Sequence, residues 1–172
     1  MKSSSRLAYS MKALAVVVAF VFSGVAVYAQ EAPPLLPVQS VMSSFLVETN
    51  DEGKEVLTKS EVARPGQLIE YVSRNCNVTD GDLLEVNLIV PIPPYTCYLA
   101  GTASADQPIQ PEFSIDGGSK YQPEPVKYMV KQADGTEKEE IATPDMYTHV
   151  RWPAGVMKAR QEIVVKCRVQ VK

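Results

Sequence analysis

Histidine is nearly missing from this chain. His149 is the only one, and Cys76, Cys97 and Cys167 are the only thiols. With no Cys-x-x-Cys pair among them, a thiolate or mixed Cys/His metal centre has no nucleus, and none is expected. A cationic excess is lacking too. Lys and Arg total 17 against 20 Asp and Glu, a formal charge of −3, so no basic stripe exists to meet nucleic-acid phosphates. Long helical stretches are absent: 13 prolines and 9 glycines interrupt the chain, and no window holds a 3.6-residue apolar period. What remains is a foldable globular composition, 45% apolar and 22% charged, in a chain of 172 residues that suits one domain.

The first residues read as an address. Lys2, Arg6 and Lys12 precede an apolar run from Ala13 to Phe22 that fades through Ala29. Val27-Tyr28-Ala29 has the small-residue character that a signal peptidase reads, so residues 1–29 are expected to be a cleavable signal peptide ending before Gln30. The run is short for a membrane span of about 20 residues. Translation could start at Met1 or Met11, since the segment from Met11 is itself a complete signal. No Cys follows the apolar run to carry a lipid, and no sorting signal or membrane segment is expected after the last strand. Residues 30–37 form a Pro-rich lead, and 38–172 is expected to be the folded domain.

That domain alternates with period two. Ile163, Val165, Cys167, Val169 and Val171 share one face against Lys166, Arg168 and Gln170. Leu84, Val86, Leu88 and Val90 align against Glu85 and Asn87. Val126, Tyr128 and Val130 oppose Lys127 and Lys131. Met146, Thr148, Val150 and Trp152 oppose Tyr147, His149 and Arg151. Turn chemistry separates the runs at Arg64-Pro65-Gly66, Thr79-Asp80-Gly81-Asp82, Pro91-Ile92-Pro93-Pro94, Asp116-Gly117-Gly118 and Ala133-Asp134-Gly135-Thr136. Half-buried strands of this kind must cover their apolar faces, and two stacked sheets do so. The fold expected is an all-β sandwich with Trp152 in its core.

Four segments, in order, resemble the bacterial conserved-repeat domain of unknown function. Arg64-Pro65-Gly66-Gln67-Leu68-Ile69-Glu70-Tyr71 followed by Asn77 is similar to the family's opening strand. Pro91-Ile92-Pro93 with Tyr98-Leu99-Ala100-Gly101-Thr102-Ala103, then Phe113-Ser114-Ile115-Asp116-Gly117-Gly118, then Tyr147-Thr148-His149-Val150-Arg151-Trp152, resemble its later segments. The likeness covers about residues 54–172. It implies an immunoglobulin-like two-sheet sandwich exported to the cell envelope, and it carries over no catalytic residues. Gln67 departs from the family's usual Asp, and Pro94-Tyr95 from its small-Gly turn. Ser73 and Asn75 stand where apolar residues would follow Tyr71, which predicts a bulge or shifted register.

Individual residues offer limited chemistry. An odd number of cysteines leaves at least one thiol without an internal partner. Cys76 and Cys97 stand roughly 23 Å of strand apart, beyond the 7 Å or so that a bridge tolerates. Cys167 reads as a small buried hydrophobe. Ser114, His149 and Asp116 can be written as a triad, but no nucleophile elbow accompanies them. Asp80, Asp82 and Glu85 are too few, and wrongly spaced, for a calcium loop. Asn77-Val78-Thr79 is a formal glycosylation sequon. Arg151 is expected to stack or pair on the outer face, and Tyr95, Tyr98, Tyr121 and Tyr147 are the stock from which a carbohydrate-binding row would be built.

The reading that follows is an exported, non-enzymatic envelope protein, periplasmic or secreted. It has no cofactor and no catalytic or metal residue, and it acts by touching another protein or cell-wall polymer. Two alternatives are a subunit that polymerises by inserting its Gln30–Val47 lead into a neighbour's sheet, and a carbohydrate-active hydrolase with paired carboxylates.

Overall fold

A computed structural model describes residues Leu36–Lys172. The expected signal peptide and most of the Pro-rich lead lie outside the described residues. In chain order the strands are β1 (Val38–Thr49), β2 (Glu55–Lys59), β3 (Leu68–Asn77), β4 (Leu83–Pro91), β5 (Thr96–Tyr98), β6 (Ser104–Ala105), β7 (Glu112–Ser114), β8 (Lys127–Lys131), β9 (Glu137–Ile141), β10 (His149–Met157) and β11 (Glu162–Val171). The lone helical element among the described residues is a 3-10 turn at Pro144–Met146.

The strands form an all-β sandwich. One sheet runs β2-β1-β3-β11-β5, with the short β6 also paired to β11, and the other runs β4-β10-β7. A separate hairpin, β8–β9, stands beside them with Val126 and Ala142 buried at its base. Every pairing is antiparallel. The alternating side chains of β11 that the sequence marks as apolar, Ile163, Val165, Cys167 and Val169, line the interior. They meet Leu88 and Val90 from β4 and Val150, Trp152 and Met157 from β10. Trp152 is 0% exposed, the anchor expected of it. Truncating such a side chain to Ala costs about 3–5 kcal/mol.

Three expectations are corrected. Leu84 does not join the core; it is 72% exposed, and Leu83 packs inward instead. Two bulges of opposite sense explain it. Pro153 faces Asn87, Gly155 faces Val86 and Met157 faces Leu83, so β10 first gains a residue and β4 then gains one. Each bulge holds a left-handed residue, Gly155 at φ 66° and Glu85 at φ 55°. The register is restored and Leu84 is turned outward.

Tyr147 is buried at 5% exposure, not on the outer face. The 3-10 turn delays the strand alternation until His149, so Tyr147 swings inward. There it packs against Tyr98, with centroids 5.7 Å apart, and against Phe113 at 5.0 Å. Burial pushes its phenol up to about 12.

No bulge occurs at Ser73 and Asn75, which pair in unbroken register with β1 and β11. Both are buried, and they satisfy one another. Asn75 Oδ1 accepts from Ser73 Oγ (3.2 Å) and Ser40 Oγ (2.7 Å), while its amide donates to the carbonyls of Ser73 (3.1 Å) and Ile163 (3.3 Å). Polar residues hold an apolar position because their hydrogen bonds are complete.

Candidate strand-docking edge

The triad residues are neighbours without forming a relay. Ser114 Oγ donates to Asp116 Oδ1 at 2.8 Å and accepts from the Gly118 N–H at 2.9 Å. The His149 ring instead meets Thr148 Oγ1 at 3.1 Å. Asp116 accepts further from the backbone N–H groups of Lys120 (2.9 Å) and Ser119 (3.1 Å), which hold its carboxyl below the usual range together with Ser114. These bonds shape a loop that returns to Gln122, which bridges Phe113. A nucleophile needs its base within hydrogen-bond reach, and here the hydroxyl proton is directed at Asp116.

The acidic turn is likewise occupied. Asp80 accepts from Arg160 at 2.7 Å, and Asp82 from Lys158 Nζ at 2.7 Å and the Ala159 N–H at 3.1 Å. These carboxylates tie the β3–β4 turn to the β10–β11 turn. Asn77 does the same from inside, donating to the carbonyls of Gly81, Met157 and Lys158 and accepting from Thr79. Its side chain is fully buried, so the sequon offers no acceptor amide in the folded protein.

Arg151 both stacks and pairs, lying 4.2 Å over the Tyr121 ring with its guanidinium on Glu112. The tyrosines make no row: Tyr98 and Tyr147 are core, Tyr121 is under Arg151, and Tyr95 stands alone in solvent. The carboxylates Glu55 and Glu70 do converge, but around Arg168, which bonds both. Cys76 faces Glu162 and Cys97 faces Gln170 across β11, roughly 26 Å apart along that strand. All three thiols are free.

An uncommitted feature lies at one flank, where each sheet ends. β1 is hydrogen-bonded to β3 along Val38–Val47, but β2 covers its other side only from Phe45 onward. The direction of the backbone groups follows from two contacts. The Pro37 carbonyl accepts from Val78, so it faces β3, and the Ser44 carbonyl accepts from Ser60, so it faces away. Backbone groups alternate along a strand. Val38, Ser40 and Met42 therefore point their N–H and C=O groups outward, and no group among the described residues meets them. From Val38 to Val47 no side chain is charged, although Val41 is 64% and Met42 46% exposed.

The facing edge, β4, is blunted. The Ile92 N–H bonds Thr148, so even-numbered β4 residues face β10 and Asn87, Ile89 and Pro91 face out. Pro91 has no donor, and at the Glu85 bulge the Glu85 carbonyl is covered by the Asn87 amide at 3.1 Å. Proline and bulges are the devices by which sheets refuse another strand. β1 has neither. Between the two edges a cleft of about 480 Å³ opens onto Ser73 and Asn75, walled by Val38, Ser40, Met42, Val86 and Leu88.

The polymerising alternative is divided by this arrangement. The Val38–Val47 half of its donor segment is already a strand of its own sheet, and residues 30–35 lie outside the described residues. No family model, no curated protein and no solved structure matches the chain.

Proposed function

We propose that this is an exported, non-enzymatic envelope module whose work is protein contact, made by adding an extended, uncharged polypeptide strand to the open edge of β1. The observation that carries the reading is that edge: outward backbone groups at Val38, Ser40 and Met42, with neither charge nor proline to repel a strand. Three further features support it. The reactive-looking side chains, Ser114, Asp116, Asp80 and Asp82, are engaged in holding loops. The basic and apolar start of the sequence has the layout of a secretory signal. The ordered resemblance to conserved-repeat modules of bacterial surface proteins points to the same compartment.

Two measurements test it. N-terminal sequencing of the protein recovered from the envelope or medium is expected to begin at Gln30; a chain retained in the cytoplasm and still carrying residues 1–29 overturns export. Amide hydrogen exchange of the mature chain, by itself and in detergent-free envelope extract, is expected to show protection at Val38, Ser40 and Met42 in at least one of the two conditions. Free exchange of those three amides in both conditions overturns the docking edge.

A further inference from the structure

The open edge of β1 is self-complementary, and we infer that the strand it accepts is β1 of a second copy of this chain. The inference rests on the strand-addition reading above and names its occupant. Backbone geometry restricts the register. An added antiparallel strand must bring its own outward groups against Val38, Ser40 and Met42. In a second copy these are the same residues. Moving the pairing one step further along β1 would require the Ser44 carbonyl, which Ser60 already uses. The register that engages every free outward residue places a two-fold axis at Ser40. Val38 then faces Met42 of the second copy, Ser40 faces Ser40, and Met42 faces Val38, for about six new backbone hydrogen bonds.

The side chains agree with that register. Val38, Ser40 and Met42 line the interior side of β1, at the mouth of the cleft toward β4. With the axis perpendicular to the sheet, both copies turn this side the same way. The two cleft mouths then face each other, and Met42 of each copy covers Val38 of the other. On the outer side Gln39 falls opposite Val41, so no charge meets a charge anywhere along the seam. A two-fold interface requires a patch that complements itself, and an uncharged strand centred on a small residue satisfies this. The five-strand path β2-β1-β3-β11-β5 becomes one continuous sheet through both copies. β4 could not serve in the same way, because Pro91 removes a donor from its outward face.

The test uses the mature chain from Gln30 to Lys172. Sedimentation velocity at micromolar concentration is expected to find a dimer. For the register, Cys76 and Cys97 are replaced by Ser, and Gln39→Cys and Val41→Cys are made separately in that background. Under mild oxidation a mixture of the two chains is expected to form a disulfide-linked dimer, with little from either chain alone, because residue 39 faces 41 and neither faces itself. Met42→Pro removes one outward donor per copy, hence two bonds per dimer, and is expected to weaken association about tenfold or more. The β1–β3 bonds belong to odd-numbered residues, so they survive. Met42→Lys gives the same result by placing an inward charge on each edge, should the proline variant fold poorly.

A wild-type chain that stays monomeric overturns the inference, as does equal cross-linking by each cysteine chain alone. If that monomer still gains protection at Val38, Ser40 and Met42 in envelope extract, the strand-addition reading stands and its occupant is foreign. If the three amides are protected by neither route, both readings fall together.

Discussion

Arg168 Nε donates to Glu70 Oε2 at 2.8 Å across neighbouring strands, and Glu70 is buried on what should be the wet face of its sheet. The other two guanidinium nitrogens clasp Glu55 at 3.0 and 2.9 Å. One arginine thus ties β11 to β3 and to the start of β2. Hydrogen bonds to Glu55 and Glu70 hold its own ionisation above the ordinary arginine range. Arg168→Ala leaves the Glu70 carboxylate buried beside no cation. Breaking one side of such a pair costs about 3 kcal/mol or more. Replacing both, as Arg168→Met with Glu70→Leu, is expected to recover most of that loss, because no charge is left uncompensated. Urea unfolding of the single and double variants measures the difference, and a single variant as stable as wild type would exclude a structural role for the pair.

The last strand was the most legible in sequence because its two faces differ so sharply: Ile163, Val165, Cys167 and Val169 inside, Lys166 and Gln170 outside. The pattern weakens where burial is polar. β1 carries no clean alternation, since Ser40 is inward to bond Asn75 while Val41 faces water. The paired bulges on β4 and β10 cancel, so only Gly155 betrays them in sequence, and nothing in the apolar pattern distinguishes Leu83 from Leu84 as the inward residue. Strand alternation carried back from Trp152 puts Tyr147 on the outer face, but the 3-10 turn at Pro144–Met146 interrupts that alternation and turns it inward. The docking edge was illegible for a different reason. Whether Val38, Ser40 and Met42 are bonded depends on where β2 stops, a tertiary fact. The one local trace is the uncharged run from Val38 to Val47.

Cys167 is expected to be inert in the folded protein and to set an alkaline limit on stability. It is 0% exposed, and burial pushes its thiol up to about 12. In the unfolded chain a thiol ionises near 8.5. The folded value is raised, so the contribution is complete below about pH 8.5 and is lost as pH climbs toward 12. Over that interval stability falls by about 1.4 kcal/mol per pH unit on this account alone. Cys167→Ala removes this slope, at the cost of a small cavity that lowers stability at every pH. Tyr147, raised to about 12, steepens the decline only above pH 10 or so. Urea titrations from pH 7 to 10 in both proteins check the sign. Thiol counting at pH 8 is expected to find Cys76 and Cys97 reactive and Cys167 reactive only after unfolding.

Asn77 is expected to tolerate neither removal nor ionisation. Its amide nitrogen reaches three carbonyl oxygens, those of Gly81 (2.8 Å), Lys158 (2.9 Å) and Met157 (3.2 Å), and its Oδ1 accepts from the Thr79 N–H and hydroxyl. Asn77→Ala leaves those groups without partners in a buried site and is expected to cost about 2–4 kcal/mol. Asn77→Asp keeps the shape but turns an oxygen toward three carbonyls. The charged form is disfavoured there, so the folded pKa of the new carboxyl rises above its unfolded value near 3.9. The sign follows: Asn77→Asp is least harmful below about pH 4, where the carboxylic acid can donate as the amide did. Its penalty grows as pH rises through the unfolded pKa and levels off above the folded one. Thermal unfolding of both variants at pH 3.5 and pH 7 separates the two effects. The alanine variant is expected to lie equally far below wild type at each pH, whereas the aspartate variant approaches wild type only at the acidic one.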